Sequence, residues 1–236
     1  MKTGDSNEQE LIGNKMRTIH FIHIGKTAGT QIKQLASQIN GGKEECTIIA
    51  HPHRISLANL PAGSEYFFSI RSPESRFVSG FYSRKRMGQP RYNVEWTQHE
   101  REAYENFHHA NDLAEALFEE GLAGARALSA MKSIEHLARG EIDYFLGLGY
   151  FLKMNPPLAI IRQEKFAEDI ARLFRILRLK NQPIIDHDPV AAHKNIYTDA
   201  IPLSEKAKDN IRRWYAQDCE FYKICVSWIS GNLLDL

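Results

Sequence analysis

Cysteine is scarce in this chain. Cys46, Cys219 and Cys225 are the three among 236 residues. An odd count without a closely spaced pair argues against a disulfide scaffold and against a thiolate zinc site. Long apolar runs are missing too: no stretch approaches the ~20 residues that a bilayer-spanning helix needs. There is no surplus of either charge, since 30 Lys and Arg against 29 Asp and Glu leave a net charge of +1. A general polyanion-binding or membrane-surface role is therefore not indicated, and any anion site must be local. Residues 1–14 are polar and lack the apolar core of a signal peptide, so 1–17 is read as a lead-in. No repeat or low-complexity tract interrupts the rest. With 43% hydrophobic and 25% charged residues, residues 18–236 read as one globular domain of generous size.

Against that ordinary background, Ile19-His-Phe-Ile-His-Ile-Gly-Lys-Thr-Ala-Gly-Thr30 stands out. A β-branched run empties into a lysine, two hydroxyls and small residues. A strand that delivers a glycine-bearing turn to a helix start makes an anion cradle from main-chain N–H groups and the positive helix end. Gly25-Lys26-Thr27 matches part of a Walker A loop, but that motif also needs a glycine five residues before Gly25. That position is His20, inside the strand. The Walker reading therefore fails, leaving a phosphate-binding turn at Lys26, Thr27, Ala28, Gly29 and Thr30, or an ordinary strand-to-helix turn that uses Gly29 to approach the sheet.

A second anchor follows. Tyr66-Phe-Phe-Ser-Ile70 reads as a strand, then Arg71-Ser-Pro-Glu-Ser-Arg-Phe-Val-Ser-Gly-Phe81 opens a helix. Ser72 suits an N-cap, Pro73 the first helical position and Glu74 the positive helix end. Ser79 lies about two turns beyond Ser72 and returns to the same edge. A planar cation at a strand end and a hydroxyl on the adjoining helix grip a second phosphate, unless Arg71 pairs with a carboxylate and Ser79 only packs.

On these residues the chain resembles the sulfotransferases that use 3′-phosphoadenosine 5′-phosphosulfate (PAPS). Phe21 to Thr30 is similar to their 5′-phosphosulfate loop, and Arg71 to Phe81 to their 3′-phosphate element, an arginine with a serine eight residues later. The branch of carbohydrate sulfotransferases containing the heparan 2-O enzymes is the nearest in appearance. The likeness is strongest over 18–90 and looser through Ile160–Glu164 and Ala192–Asn195, the latter similar to a loop that closes over the nucleotide. One departure is Ser72, where the family usually has aspartate.

The resemblance implies a P-loop-like α/β fold with a central parallel sheet flanked by helices, PAPS as donor and no metal. It implies Lys26 on the bridging oxygen of the leaving nucleotide, Thr27 to Thr30 on the 5′ group, and Arg71 with Ser79 on the 3′-phosphate. The family carries a His-x-His with a proposed histidine base where this chain has His51-Pro52-His53. A neutral imidazole suits that task at physiological pH. His51 is preferred, because Pro52 ends the strand and turns His53 away. A His-x-His is also a metal pattern, yet no acidic or cysteine partners cluster beside it. The acceptor would be a hydroxyl, most plausibly on a glycan. No nucleic-acid partner is expected. Without an anchor, the enzyme is expected in the cytoplasm, unless an anchor has been removed.

Periodicity sketches the rest: strands at 18–24, 46–51, 66–71 and 158–162, and helices at 29–40, 73–87, 112–120, 123–139, 165–179 and from Ser204 onward. Residues 88–157 read as a helical insertion on the acceptor side. Arg84, Lys85 and Arg86 form a basic run, either a solvated helix end or an attractor for an anionic acceptor. Trp96, Tyr92 and Tyr104 either pack or stack on a sugar. Two other functions compete, a nucleotide kinase-like phosphotransferase and a non-catalytic nucleotide-binding protein.

Overall fold

The period-2 alternation of the first strand sets the layers of the molecule. In the computed structural model, which describes residues 16–181, 183–184 and 200–232, β1 (Arg17–Ile22) buries Ile19 and Phe21 on one face and Ile22 on the other. Successive strand side chains point to opposite faces, so a strand apolar on both must be covered twice. Helix α1 (Gly29–Gly41) follows, then β2 (Cys46–Ala50), β3 (Glu65–Ile70) and α2 (Pro73–Lys85). The fourth strand, β4 (Ala159–Arg162), leads through a short turn into α8 (Phe166–Leu177). All pairings are parallel and the sheet order is β2-β1-β3-β4.

That order carries the functional consequence. From β1 the chain moves to β2 on one side, and β3 returns to the other side of β1, with Phe21 beside Phe67. The carboxyl ends of β1 and β3 thus flank a topological switch point, where open α/β sheets present their ligand crevice. Both candidate anion grips emerge there.

One face of the sheet packs Phe21, Phe67 and Ile161 against Ile32, Leu35 and Ile39 of α1 and Ile170, Leu173 and Phe174 of α8. The other packs Ile22, Phe68 and Ile160 against Tyr144, Phe145, Phe151 and Leu152, together with Phe221, Cys225 and Ile229 of a long last helix. Each fully buried side chain of this kind contributes about 1.5–3 kcal/mol relative to exposure.

The stretch 88–157 divides into two parts. Helices α3 (Gln98–Asn106), α4 (Ala110–Ala116), α5 (Gly121–Ser133) and α6 (Glu135–Ala138) build a separate core with α2 and with α9 (Glu205–Trp214). The remainder, including α7 (Phe151–Met154), covers the sheet's second face. Residues 142–154 are therefore part of the sheet's packing rather than an addition to it.

Three boundaries differ from the periodicity. Residues 88–112 contain α3, a polar helix opened by a capping box in which Thr97 accepts from the Glu100 N–H. Its tie to α2 is the buried, two-pronged pair of Arg84 with Glu100, at 2.6 and 2.7 Å. Removing either partner would strand the other's charge, at a cost of about 3–5 kcal/mol. The helix expected at 123–139 breaks at Ile134, where ψ is 113°. The last helix is two, α9 and α10 (Ala216–Asn232), parted at Tyr215, whose hydroxyl donates to the Leu137 carbonyl at 2.7 Å. Ser204 caps α9 as expected, accepting from the Ala207 N–H. Among the described residues no helix is long and apolar enough to cross a membrane.

Candidate functional site

Beyond β1 the chain alternates handedness. Lys26 and Ala28 have φ of 70° and 71°, while Thr27 between them does not, and Gly29 opens α1. Alternating backbone handedness turns successive N–H groups to one side as an anion-binding nest, here at a helix N-terminus. Two contacts hold the turn from beneath. Thr27 is fully buried, its hydroxyl donating to the Ile24 carbonyl at 2.9 Å and lying 2.8 Å from Ser69 Oγ on β3. Gly29 sits directly on His23, since a Cβ there would stand 1.9 Å from His23 Nε2.

The Thr27 hydroxyl, expected to face a ligand, is thus spent inside the turn, because its one proton goes to Ile24. Only its main-chain N–H remains for the cradle. Thr30 keeps its proton, since its oxygen accepts from Arg91 Nη1 at 2.7 Å. Gly29→Ala is expected to lose about 1–3 kcal/mol through overpacking on the imidazole. Urea melts should show that loss, and His23→Ala in the same chain should return part of it, because the two sites share one space.

Arg71 follows the end of β3 and reaches the turn. Its Nη1 lies 3.3 Å from the Lys26 carbonyl, and its Nε donates to Ser75 Oγ at 2.7 Å. Ser79 lies on α2 and is buried. Ser72 takes the N-cap position without a side-chain cap, and its N–H donates to Glu164 Oε1 at 2.8 Å instead. A carboxylate does approach this helix start, but it comes from the turn after β4. The Lys26 ammonium is pushed down to about 8 by burial, with the Arg86 and Arg71 charges adding to the effect.

Two cations beside the loop were not assigned to it from sequence. Arg86 is near enough to act on Lys26, and Arg91 reaches Thr30. The basic run at 84–86 has three separate fates. Arg84 is buried on Glu100, Lys85 donates to the His108 carbonyl, and Arg86 turns back to the Gln89 and Tyr82 carbonyls. Trp96 and Tyr104 are packing residues, bonded to the Arg84 and Phe81 carbonyls, while Tyr92 is exposed.

The two histidines that follow β2 point differently from the expected orientations. His51 continues the β2 pairing, its N–H donating to the Phe21 carbonyl, and its ring turns to His20, with Nε2 2.8 Å from His20 Nδ1. One nitrogen of His51 is therefore occupied away from the turn. Pro52 does not direct His53 away. The His53 ring lies against the turn, and a Cβ on Gly25 would stand 3.8 Å from its Cε1. His53 Nδ1 is 2.9 Å from the His23 carbonyl, and the His23 and His53 rings are tilted by 43° with centroids 4.0 Å apart. A carbonyl only accepts, so Nδ1 carries the proton and Nε2 keeps its lone pair.

Burial holds His53 below the ordinary imidazole range, against the pull of the His23 carbonyl, and Lys33 and Lys26 add to the depression. Burial likewise takes His23 to about 2 and His136 to about 3. All three are neutral at physiological pH. The Ala192–Asn195 segment and Lys194 lie outside the described residues.

No family model, no curated protein and no solved structure matches the chain.

Proposed function

We propose that this protein is a P-loop-like sulfotransferase, moving a sulfuryl group from 3′-phosphoadenosine 5′-phosphosulfate to an acceptor hydroxyl on a carbohydrate. The observation that carries the reading is the meeting of two anion grips. The Arg71 guanidinium lies 3.3 Å from the Lys26 carbonyl, at the sheet's switch point. A ligand with one anionic group needs one such cradle, whereas a doubly phosphorylated adenosine uses both.

The donor set suits that ligand. The N–H groups of residues 26–30, the Thr30 hydroxyl and Lys26 would hold the 5′ group, with Arg86 and Arg91 adding positive charge beside it. Arg71 and Ser79 would hold the 3′-phosphate. When bound, the donor supplies an activated sulfuryl group. Sulfuryl transfer spreads charge over peripheral oxygens, so catalysis rests on positioning and fixed cations. Lys26 neutralises charge on the oxygen that leaves sulfur. His53 Nε2, rather than His51, accepts the acceptor's proton as its oxygen bonds to sulfur. His23 orients His53, its carbonyl fixing the tautomer that leaves Nε2 a base.

A thermal-shift panel tests the donor assignment. With 3′-phosphoadenosine 5′-phosphate, AMP, ADP and ATP compared at equal concentration, the first should raise Tm most, since selective binding to the native state stabilises it. Stabilisation by ATP alone, dependent on magnesium, would favour the kinase-like alternative and overturn this one.

A further inference from the structure

Behind the two grips lies a buried ion cluster that no step above uses. Arg76 of α2 is 3% exposed. Its Nε donates to the Gly25 carbonyl at 3.0 Å and its Nη2 to the Arg139 carbonyl at 2.5 Å. Two carboxyl groups face it, Glu141 and Asp218, each at 3.9 Å. Glu141 is fully buried, and its Oε1 accepts the Arg71 N–H at 3.0 Å. Asp218 accepts the N–H groups of Glu141 and Ile142, both at 2.9 Å. Gly140 permits that approach, because a Cβ there would stand 2.8 Å from Asp218 Oδ1.

These contacts form one continuous path. It runs from the Gly25 carbonyl, at the head of the phosphate turn, through the Arg76 guanidinium to Glu141, and from Glu141 to the main chain of Arg71. Asp218, from α10, fixes the segment that carries Glu141. The backbones of both grips are therefore held by the same cluster.

Burying such a cluster costs several kcal/mol per ion unless its geometry offsets it. A hydrophobic substitute would serve packing as well, but would not aim a carbonyl and an N–H at fixed points. Burial raises the Glu141 carboxyl, and the Arg76 guanidinium beside it pulls the other way, favouring the carboxylate.

We propose that Arg76, held by Glu141 and Asp218, is a positioning residue that sets the separation of the 25–30 turn from the Arg71 strand end, and so makes the crevice selective for a ligand with two anionic groups over one. The inference rests on the donor reading above, but its test separates the two. Calorimetry would compare 3′-phosphoadenosine 5′-phosphate with 5′-AMP on wild type, Arg76→Lys and Glu141→Gln, each first shown to melt cooperatively.

Wild type should prefer the doubly phosphorylated ligand by at least about a hundredfold, as expected for a further charge-assisted phosphate contact. Arg76→Lys keeps the charge but loses the guanidinium fork. It should cut that preference by about tenfold or more, while 5′-AMP affinity stays within about twofold. Glu141→Gln keeps an acceptor for the Arg71 N–H but releases Arg76, and should cut the preference by about threefold or more. Its near-identical shape keeps the test open should Arg76→Lys fail to fold. A variant that folds and retains the wild-type ratio overturns the positioning role alone. A wild-type protein indifferent to the second phosphate overturns the donor reading, and this inference with it.

Discussion

Lys26→Ala should slow turnover by on the order of a hundredfold or more, while affinity for 3′-phosphoadenosine 5′-phosphate falls much less. The asymmetry follows from when the charge is needed. Ground-state phosphates already meet the amides of the turn, Thr30 and the neighbouring arginines, so losing one ammonium weakens binding only modestly. Charge on the leaving oxygen grows as the sulfur bond breaks, and an interaction that strengthens there lowers the barrier itself. A protein that merely binds the nucleotide would lose affinity and have no rate to lose.

The same lysine gives a pH signature. Its folded value is lowered to about 8, by burial first and then by Arg86 and Arg71. About half of the ligand-free molecules near pH 8 therefore carry an uncharged Lys26. An anion in the cradle favours the ammonium, so binding should take up protons around pH 8, above the range near 6 in which the ligand's own phosphates titrate. Calorimetry in buffers of differing ionisation enthalpy measures that uptake, which should vanish in Lys26→Ala.

The second large effect separates two neighbouring histidines. His53→Ala should reduce kcat by about a hundred- to ten-thousandfold, the usual worth of a positioned base. His51→Ala should stay within about threefold, because its ring is engaged with His20 and a surface-type change leaves the turn alone. The acid limb adds a check. His53 is held below the ordinary 6.5 by burial, so the base is already deprotonated near neutrality. The rate in wild type should fall only as pH drops through a midpoint below 6.5. That limb should be missing from any residual activity of His53→Ala. A collapse with His51→Ala and not with His53→Ala would reverse the assignment.

The contrast between the two histidines shows what the sequence could and could not tell. Strand identity was legible because it is local: Ile19 and Phe21 against His20 and Ile22 announce two faces, and Ile48, Phe67 and Ile160 follow the same rule. The positions of the turn and of Arg71 were legible for the same reason, each being a strand end followed by helix-start chemistry. The aim of His53 was not, because it depends on the His23 carbonyl, 30 residues earlier and just past the end of β1. Pro52 says where β2 stops, but not where the chain then bends.

Long-range partners explain the other differences. Helix α3 looks like loop because its inward face joins a charge, Glu100, to only Ala103 and Tyr104, and Glu100 is buried against Arg84 of α2. Its one local signal was present, a threonine three residues before a glutamate, the capping-box spacing. The breaks at Ile134 and Tyr215 have neither proline nor glycine at the bend, and Tyr215 is tied to Leu137, far away in sequence. The Thr27 hydroxyl was assigned outward from motif logic, whereas Ser69, on a strand 42 residues later, lies beside it in the interior.

The central claim, that one crevice clasps two phosphates of a single nucleotide, is tested most directly by a crystal structure with 3′-phosphoadenosine 5′-phosphate. The account predicts the 5′-phosphate on the N–H groups of residues 26–30 and the 3′-phosphate in contact with the Arg71 guanidinium and the Ser79 hydroxyl. A nucleotide bound elsewhere, or held at the turn with its 3′-phosphate turned away from Arg71, would contradict it.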